Sequence, residues 1–113
     1  MRELVFMGDS RRVLKGFPDE VRGEIGFALG RAQEGKIPND TKPFKGNPGV
    51  MEIVAPFRGD TYRAVYALKI GRKIYVLHIF QKKSVRGIKT PKPDLELIDA
   101  RFKAAKRMEE YDV

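Results

Sequence analysis

The sequence predicts an α+β fold in which an antiparallel sheet packs against two N-terminal helices and a C-terminal helix follows. Apolar residues recur at helical spacing in the first third of the chain and again near its end. The middle contains three runs rich in β-branched and aromatic residues, which favour strands. The 113 residues, 42% of them hydrophobic, suffice for one modest core, so we expect a single domain over residues 1–113.

One strand and two helices are predicted for the N-terminal third. Glu3–Met7 is a short apolar run, and residues 8–10 supply a turn and an N-cap for a first short helix. Pro18 suits the first turn of a second helix, which we expect to continue to Gly35. The apolar face of this helix consists of Val21, Ile25, Ala28, Leu29 and Ala32. Gly26 lies inside it, and we take close approach of the helix to the sheet as its reason.

Three strands are predicted after a loop that spans residues 34–50. They are Val50–Phe57, Thr61–Ile70 and Ile74–Lys83. The pair Gly71-Arg72 is short and begins with glycine, so it suits a type II′ turn. The last two strands should therefore form an antiparallel hairpin.

The register of this hairpin decides which side chains share a face. A two-residue turn sets Ile70 opposite Lys73, and the same register pairs Val65 with His78, Arg63 with Phe80 and Thr61 with Lys82. Alternation then predicts a core face formed by Tyr62, Ala64, Tyr66, Leu68, Tyr75, Leu77 and Ile79. The other face carries Arg63, Val65, Ala67, Val76, His78, Phe80 and Lys82. On it, Arg63 should lie diagonally between His78 and Lys82, and this cationic cluster is the candidate site.

A final helix is predicted to begin at Pro93-Asp94. Its apolar stripe consists of Leu95, Ile98, Phe102, Ala105 and Met108. The stripe either closes the protein's own core or docks onto a partner, and the sequence leaves both open.

Positive charge is concentrated in one segment. Residues 61–93 contain nine Lys or Arg residues and no Asp or Glu, whereas the whole chain carries a formal net charge of +8. The rest of the chain is therefore close to neutral. A local basic surface favours a polyanion as partner, because neutralising phosphates releases condensed counterions.

Several classes of protein are excluded by composition. The chain has no cysteine, which excludes disulfides, thiolate zinc sites and a cysteine nucleophile. The charged N-terminus and the lack of a long apolar segment argue against a secretory signal and a membrane span. We therefore expect a cytoplasmic protein with no membrane partner.

Short segments in a fixed order carry a resemblance to a known family. They are Phe44–Gly46, Val50–Ile53, Tyr62–Tyr66, Leu77–Lys83, Thr90-Pro91 and the helix around Ala100-Arg101. In this order and spacing they resemble the phage-derived, HigB-like branch of the RelE toxin superfamily. The predicted order of strands and helices is also similar to the small RelE-like α+β fold.

The resemblance implies the toxin of a type II toxin–antitoxin pair. Such a protein is an endoribonuclease that cleaves messenger RNA, typically on the ribosome, with no metal or other cofactor. Its partner is an antitoxin, expected to be a helix-turn-helix protein. The resemblance implies catalytic roles for Arg63, Lys82, Lys83 and Lys45, because cations stabilise the charge that develops when a ribose 2′-hydroxyl attacks the adjacent phosphate.

Further residues are predicted to bind RNA. They are Arg58, His78, Phe80, Arg86 and Lys89. Many relatives carry a basic residue shortly after the position of Glu52, whereas this chain has Ile53-Val54-Ala55 and its next cation is Arg58. The proton acceptor is not assigned by the resemblance.

Other interpretations stay open beside this one. A non-catalytic module could use the same basic face to bind nucleic acid or an acidic partner, and a phage structural protein is a third class. Arg63 could serve only as an ion-pair partner of Glu52 on the neighbouring strand. His78 could be a hydrogen-bonded structural residue, which is the commoner role of a lone histidine in an apolar run.

Overall fold

The computed structural model describes residues 1–82 and 90–111. The elements in chain order are β1 (Glu3–Phe6), α1 (Ser10–Lys15), α2 (Asp19–Gln33), β2 (Thr41–Pro43), β3 (Val50–Phe57), β4 (Asp60–Ile70), β5 (Lys73–Lys82) and α3 (Lys92–Tyr111). The predicted α+β class, with two N-terminal helices and a C-terminal helix, is confirmed. None of the helices within these ranges has the length and apolar character needed to cross a membrane.

The five strands form one sheet in the order β1-β5-β4-β3-β2. Strands β2 to β5 pair antiparallel, but β1 pairs parallel with β5, so the sheet is mixed at this edge. A parallel neighbour needs a long connection, and the helices and three other strands provide it. Strand β2 lies within the predicted loop. It is only three residues long, and its Pro43 is tolerated because β2 is an edge strand.

The hairpin of β4 and β5 has the predicted turn and most of the predicted register. Ile70 pairs with Lys73 across Gly71-Arg72, and Gly71 has a positive φ of 58°. The predicted pairs Val65 with His78, Arg63 with Phe80 and Thr61 with Lys82 are also confirmed. Between these two ends the register shifts by one residue, so that Tyr66 faces Val76 and Ala67 faces Tyr75. The irregularities lie between Val65 and Tyr66 and between Ala67 and Ile70.

The shifted register divides the hairpin differently between the two faces of the sheet. One face packs against α1 and α2 and includes Tyr62, Ala64, Tyr66, Leu68, Ile74, Val76 and Ile79. The other packs against α3 and includes Val65, Ala67, Ile70, Tyr75, Leu77 and Phe80. The predicted faces of Tyr75, Leu77 and Val76 are therefore wrong. A bulge adds one residue to one strand, which reverses the alternation beyond it.

Helix α3 closes the protein's own core. Ile98, Phe102 and Ala105 are buried against the sheet, whereas Leu95 and Met108 at the two ends of the stripe are exposed. Near the C-terminal end of the helix, the Tyr75 hydroxyl donates a hydrogen bond of 2.7 Å to Glu109 Oε2. The helix thus runs along β5 as an integral layer of the fold.

The explanation expected for Gly26 in α2 is wrong. A Cβ atom at this position would meet nothing within 4 Å, so no close approach of helix to sheet requires glycine there. Ile25 and Leu29, on either side of it, make the buried contacts instead.

Candidate functional site

The candidate site lies on the α3 face of the sheet, beyond the start of α3. Asp94 in the first turn of α3 contacts His78, and Glu109 near its end contacts Tyr75, so the helix extends from His78 towards the hairpin turn. The end of β5 that contains Phe80 and Lys82 therefore extends past the N-terminal end of α3. Val65 and Phe80 face α3. Their cross-strand partners, Glu52 and Arg63, therefore face the same side of the sheet.

Glu52 occupies the centre of a group of cations. Its side chain is buried, and its Oε2 atom lies 3.2 Å from Nη1 of Arg63. Its other oxygen, Oε1, lies 3.9 Å from Nζ of Lys42, which pairs with it across β2 and β3. Oε2 accepts no hydrogen bond from residues 1–82 or 90–111. Its contact with Arg63 is therefore an ion pair without hydrogen-bond geometry. The Arg63–Glu52 pair considered from the sequence is therefore present.

Arg63 is held in one orientation by a second contact. Its Nε atom donates to the Thr61 hydroxyl at 3.4 Å, and that hydroxyl donates to the carbonyl of Lys82 at 3.3 Å. The Arg63 side chain is only 11% exposed. Its guanidinium is thus fixed between the Glu52 carboxylate and the end of β5.

Lys82 brings a further positive charge into this group. It is 9% exposed, and its Nζ atom is buried without a hydrogen-bond partner in the part of the chain that the structure describes. Burial lowers the pKa of Lys82 from its usual value, the positive charge of Arg63 lowers it further, and the Glu52 carboxylate acts in the opposite direction. The ammonium of Lys82 therefore gives up its proton more readily than that of an exposed lysine.

The group has more positive than negative charge. Arg63, Lys42 and Lys82 surround the carboxylate of Glu52, so one acidic side chain faces three basic ones. Buried charge is costly unless it is paired. An excess of cations around one carboxylate consequently favours binding of an anion.

A groove beside these residues brings Lys45 to the same place. Its volume is about 530 Å³, and it is lined by Lys42, Pro43, Phe44, Lys45, Glu52, Arg63, Thr90 and Leu95. Lys45 is exposed, so it can meet a ligand without rearrangement. The structure therefore brings together Arg63 and Lys45 in one groove, with Lys82 adjoining Arg63.

The other predicted residues have different positions. Arg58 is exposed in the β3–β4 turn, where its guanidinium lies over the Phe57 ring at 5.1 Å. Phe80 is buried in the α3 core and is not free to stack on a base. Lys83, Arg86 and Lys89 lie outside the described residues.

His78 is part of the joint between the sheet and α3. Its Nε2 atom lies 2.6 Å from Oδ1 of Asp94, its Nδ1 atom lies 3.2 Å from Nη1 of Arg101, and its ring stacks on Phe80. It is 6% exposed. These contacts match the structural role considered from the sequence, and RNA binding by His78 stays a prediction.

Sequence reasoning did not include Glu52, Lys42 or Thr61 in the site. Lys42 and Glu52 meet only because β2 exists, and that strand was not predicted. Glu52 had one signal of its own, since it is the only charged residue of the otherwise apolar strand Val50–Phe57. A lone carboxylate in a buried strand indicates a charge partner.

The family follows from the sequence comparison. Residues 12–103 match the protein family described as "Phage derived protein Gp49-like (DUF891)". The chain belongs to the Gp49-like family. This match covers most of the chain, including every described residue of the candidate site.

The structure of this Gp49-like protein is similar to that of the isolated RelE toxin of E. coli. The two align with a TM-score of 0.60 over 96% of this chain and 99% of the other, at 18% sequence identity. At this identity the likeness is one of fold. The family match and the likeness of fold together confirm the predicted resemblance to a phage-derived family with a RelE-like fold. No significant match was found among curated proteins.

Proposed function

We propose that this Gp49-like protein is the toxin of a type II toxin–antitoxin pair and that it cleaves messenger RNA as a metal-independent endoribonuclease. The observation that supports this best is the buried pair of cations, Arg63 and Lys82, beside an open groove and in excess over Glu52. The family and the RelE-like fold agree with it. The whole chain acts as one domain in this proposal.

The reaction requires three things of the protein. The ribose 2′-oxygen attacks the adjacent phosphorus, the 2′-proton goes to an acceptor, and the departing 5′-oxygen takes a proton from a donor. Charge develops on the phosphoryl oxygens as the 2′-oxygen bonds to phosphorus. Fixed cations that point at those oxygens lower the barrier, because they need no reorganisation during the reaction.

The site offers a group for each requirement. Arg63 is fixed by Glu52 and Thr61 and can grip two phosphoryl oxygens with its planar fork. Glu52 Oε2 has no hydrogen-bond donor among the described residues, so it is our candidate proton acceptor. Lys82, with its lowered pKa, is the candidate donor to the 5′-oxygen. Lys45, exposed on the groove, contacts a neighbouring phosphate.

The partners follow from the same proposal. The substrate is messenger RNA on the ribosome, which places the protein in the cytoplasm. Arg58, at the same end of the sheet as Lys82, contributes charge for RNA binding, and Arg86 and Lys89 are proposed to do the same. The antitoxin, proposed to be a helix-turn-helix protein, keeps the toxin inactive by covering the basic face.

The test is induction of the protein in bacterial cells beside two variants. Arg63→Ala removes the proposed catalytic cation, and Arg72→Ala removes an exposed arginine from the hairpin turn at the other end of β4 and β5. We expect growth arrest with new transcript ends within translated codons for the wild type and Arg72→Ala, and neither effect for Arg63→Ala. Normal growth and intact transcripts with soluble, folded wild-type protein would contradict the proposal.

A second function is a non-catalytic module that binds nucleic acid or an acidic partner through this face. One observation favours it: Nζ of Lys82 and Oε2 of Glu52 are both shielded from solvent. A catalytic group must touch the reacting atoms of the substrate. A buried charge, by contrast, can attract a polyanion without touching it. This function predicts no transcript breaks in the same experiment, and RNA binding by the purified protein that weakens as the salt concentration is raised.

A further inference from the structure

Arg101 of α3 joins three separate parts of the chain. Its Nη1 atom donates to the Leu77 carbonyl at 3.0 Å and to Nδ1 of His78 at 3.2 Å, and its Nη2 atom donates to Oδ1 of Asp9 at 3.1 Å. Gly8 leaves room for this guanidinium, because a Cβ atom there would lie 2.5 Å from Nη2. Arg101 is therefore seated between the β1–α1 turn, β5 and its own helix.

This arrangement determines the state of His78. An arginine is only a donor, so Nδ1 of His78 must be the acceptor and carries no proton. The ring proton is consequently on Nε2, which donates to Oδ1 of Asp94 at 2.6 Å. His78 is held as one neutral tautomer, with both nitrogens engaged by α3.

The same contacts reach both walls of the groove. Asp94 lies in the first turn of α3, and its neighbour Leu95 lines the groove together with Thr90. On the opposite side, the His78 ring stacks on Phe80 with centroids 5.0 Å apart and planes inclined by 17°. Phe80 pairs directly with Arg63. A single imidazole thus connects the α3 wall to the strand position that faces Arg63.

We propose that His78 and Asp94 are positioning residues that set the distance between the α3 wall and Arg63, and thereby the affinity of the groove for RNA. This inference rests on the proposed function and deepens it. In this inference His78 affects RNA binding through α3 and needs no contact of its own with RNA. Without the hydrogen bond between His78 and Asp94, the first turn of α3 becomes mobile. RNA binding must then order this turn, and the cost of ordering it lowers the affinity.

The experiment compares three substitutions in α3. Asp94→Ala removes the acceptor, Asp94→Asn keeps an acceptor oxygen for Nε2–H, and Glu96→Ala removes an equal charge from an exposed residue one position beyond Leu95. Binding is measured by fluorescence anisotropy with an RNA oligonucleotide whose 2′-hydroxyls are methylated, so that no 2′-oxygen can attack a phosphate and the strand cannot be cleaved. Cleavage of messenger RNA on ribosomes gives kcat and KM, and amide exchange reports on the first turn of α3.

For Asp94→Ala we expect about tenfold weaker binding and a KM raised by the same factor, with kcat changed by no more than about twofold. Amide exchange at the start of α3 should become faster. Asp94→Asn and Glu96→Ala should stay within about twofold of the wild type in each measurement. Wild-type affinity in Asp94→Asn would show that the hydrogen bond, and not the charge of Asp94, is what the groove requires.

Two results would overturn the inference, and they differ from failure of the proposed function. One is a wild type that cleaves RNA while Asp94→Ala binds and cleaves equally well. The other is a fall in kcat for Asp94→Ala at unchanged KM and unchanged amide exchange. If the wild type neither binds nor cleaves RNA, the proposed function itself fails and the inference falls with it.

Discussion

Arg63 and Glu52 form a diagonal ion pair across β3 and β4, with Nη1 and Oε2 3.2 Å apart. Arg63 is directly opposite Val54, and Glu52 is directly opposite Val65, so the two long side chains meet across an offset of two residues. Their side chains are 11% and 5% exposed. The pair fixes the guanidinium and places a carboxylate beside it, which makes it both a structural contact and the centre of the proposed site.

Glu52→Gln should destabilise the protein markedly. The substitution keeps the size of the side chain but leaves Arg63 buried without a counter-charge, and removing one partner of a buried pair costs about 3 kcal/mol. Urea unfolding measures the free energy of unfolding. Glu96→Gln, at an exposed residue of α3, is the matched control and should change it by less than about 0.5 kcal/mol. Equal effects of the two substitutions would show that the buried pair contributes little.

Lys82 should lower the stability of the folded protein near neutral pH. Burial first, and then the charge of Arg63, hold the pKa of Lys82 below its usual value of 10.5. Between the folded-state pKa and 10.5 the unfolded chain binds more protons than the folded chain, so a rise in pH favours folding. Below both pKa values the charged ammonium is an unfavourable buried group. Lys82→Met keeps the apolar stem and removes that charge.

We therefore expect Lys82→Met to exceed the wild type in free energy of unfolding near neutral pH, with a difference that shrinks as pH rises towards 10.5. Urea unfolding between about pH 7 and about pH 10 measures it. Lys36→Met, at an exposed lysine, should give a difference that does not vary with pH. A difference for Lys82→Met that stays constant or grows with pH would contradict the assignment.

The sequence predicted the part of the fold that local signals specify. The glycine-led two-residue turn correctly predicted the pair of Ile70 and Lys73 beside it. The predicted pairs of Arg63 and Lys82 are also correct, but only because the second register shift cancels the first. The bulge was not predictable, because Val76 and Leu77 are both apolar and fit either face. Strand β2 is too short to show alternation, and without it Lys42 has no visible relation to Glu52. Long-range packing decides such features, and a single sequence does not display it.

Ile98→Ala should show that α3 belongs to the protein's own core. Ile98 is fully buried against the sheet, so its truncation leaves a cavity and should cost about 3 kcal/mol. Leu97→Ala, at the neighbouring exposed residue of the same helix, should cost less than about 1 kcal/mol. Thermal or urea unfolding of both variants measures the difference. Similar values for the two would mean that α3 does not pack as the structure places it.

Two glycine substitutions should have opposite effects on stability. Gly26 lies in the middle of α2 with open space around it, so Gly26→Ala should stabilise the protein by about 0.5–1 kcal/mol through helix propensity.

Gly71 has a positive φ, and a Cβ atom there would collide with the Glu109 carboxylate, which also accepts a hydrogen bond from Tyr75. Gly71→Ala should therefore destabilise the protein by at least about 1 kcal/mol, because alanine is strained at this positive φ and the Glu109 side chain must move away. Urea unfolding of the two variants measures both values, and a gain in stability for Gly71→Ala would refute the contact between the hairpin turn and α3.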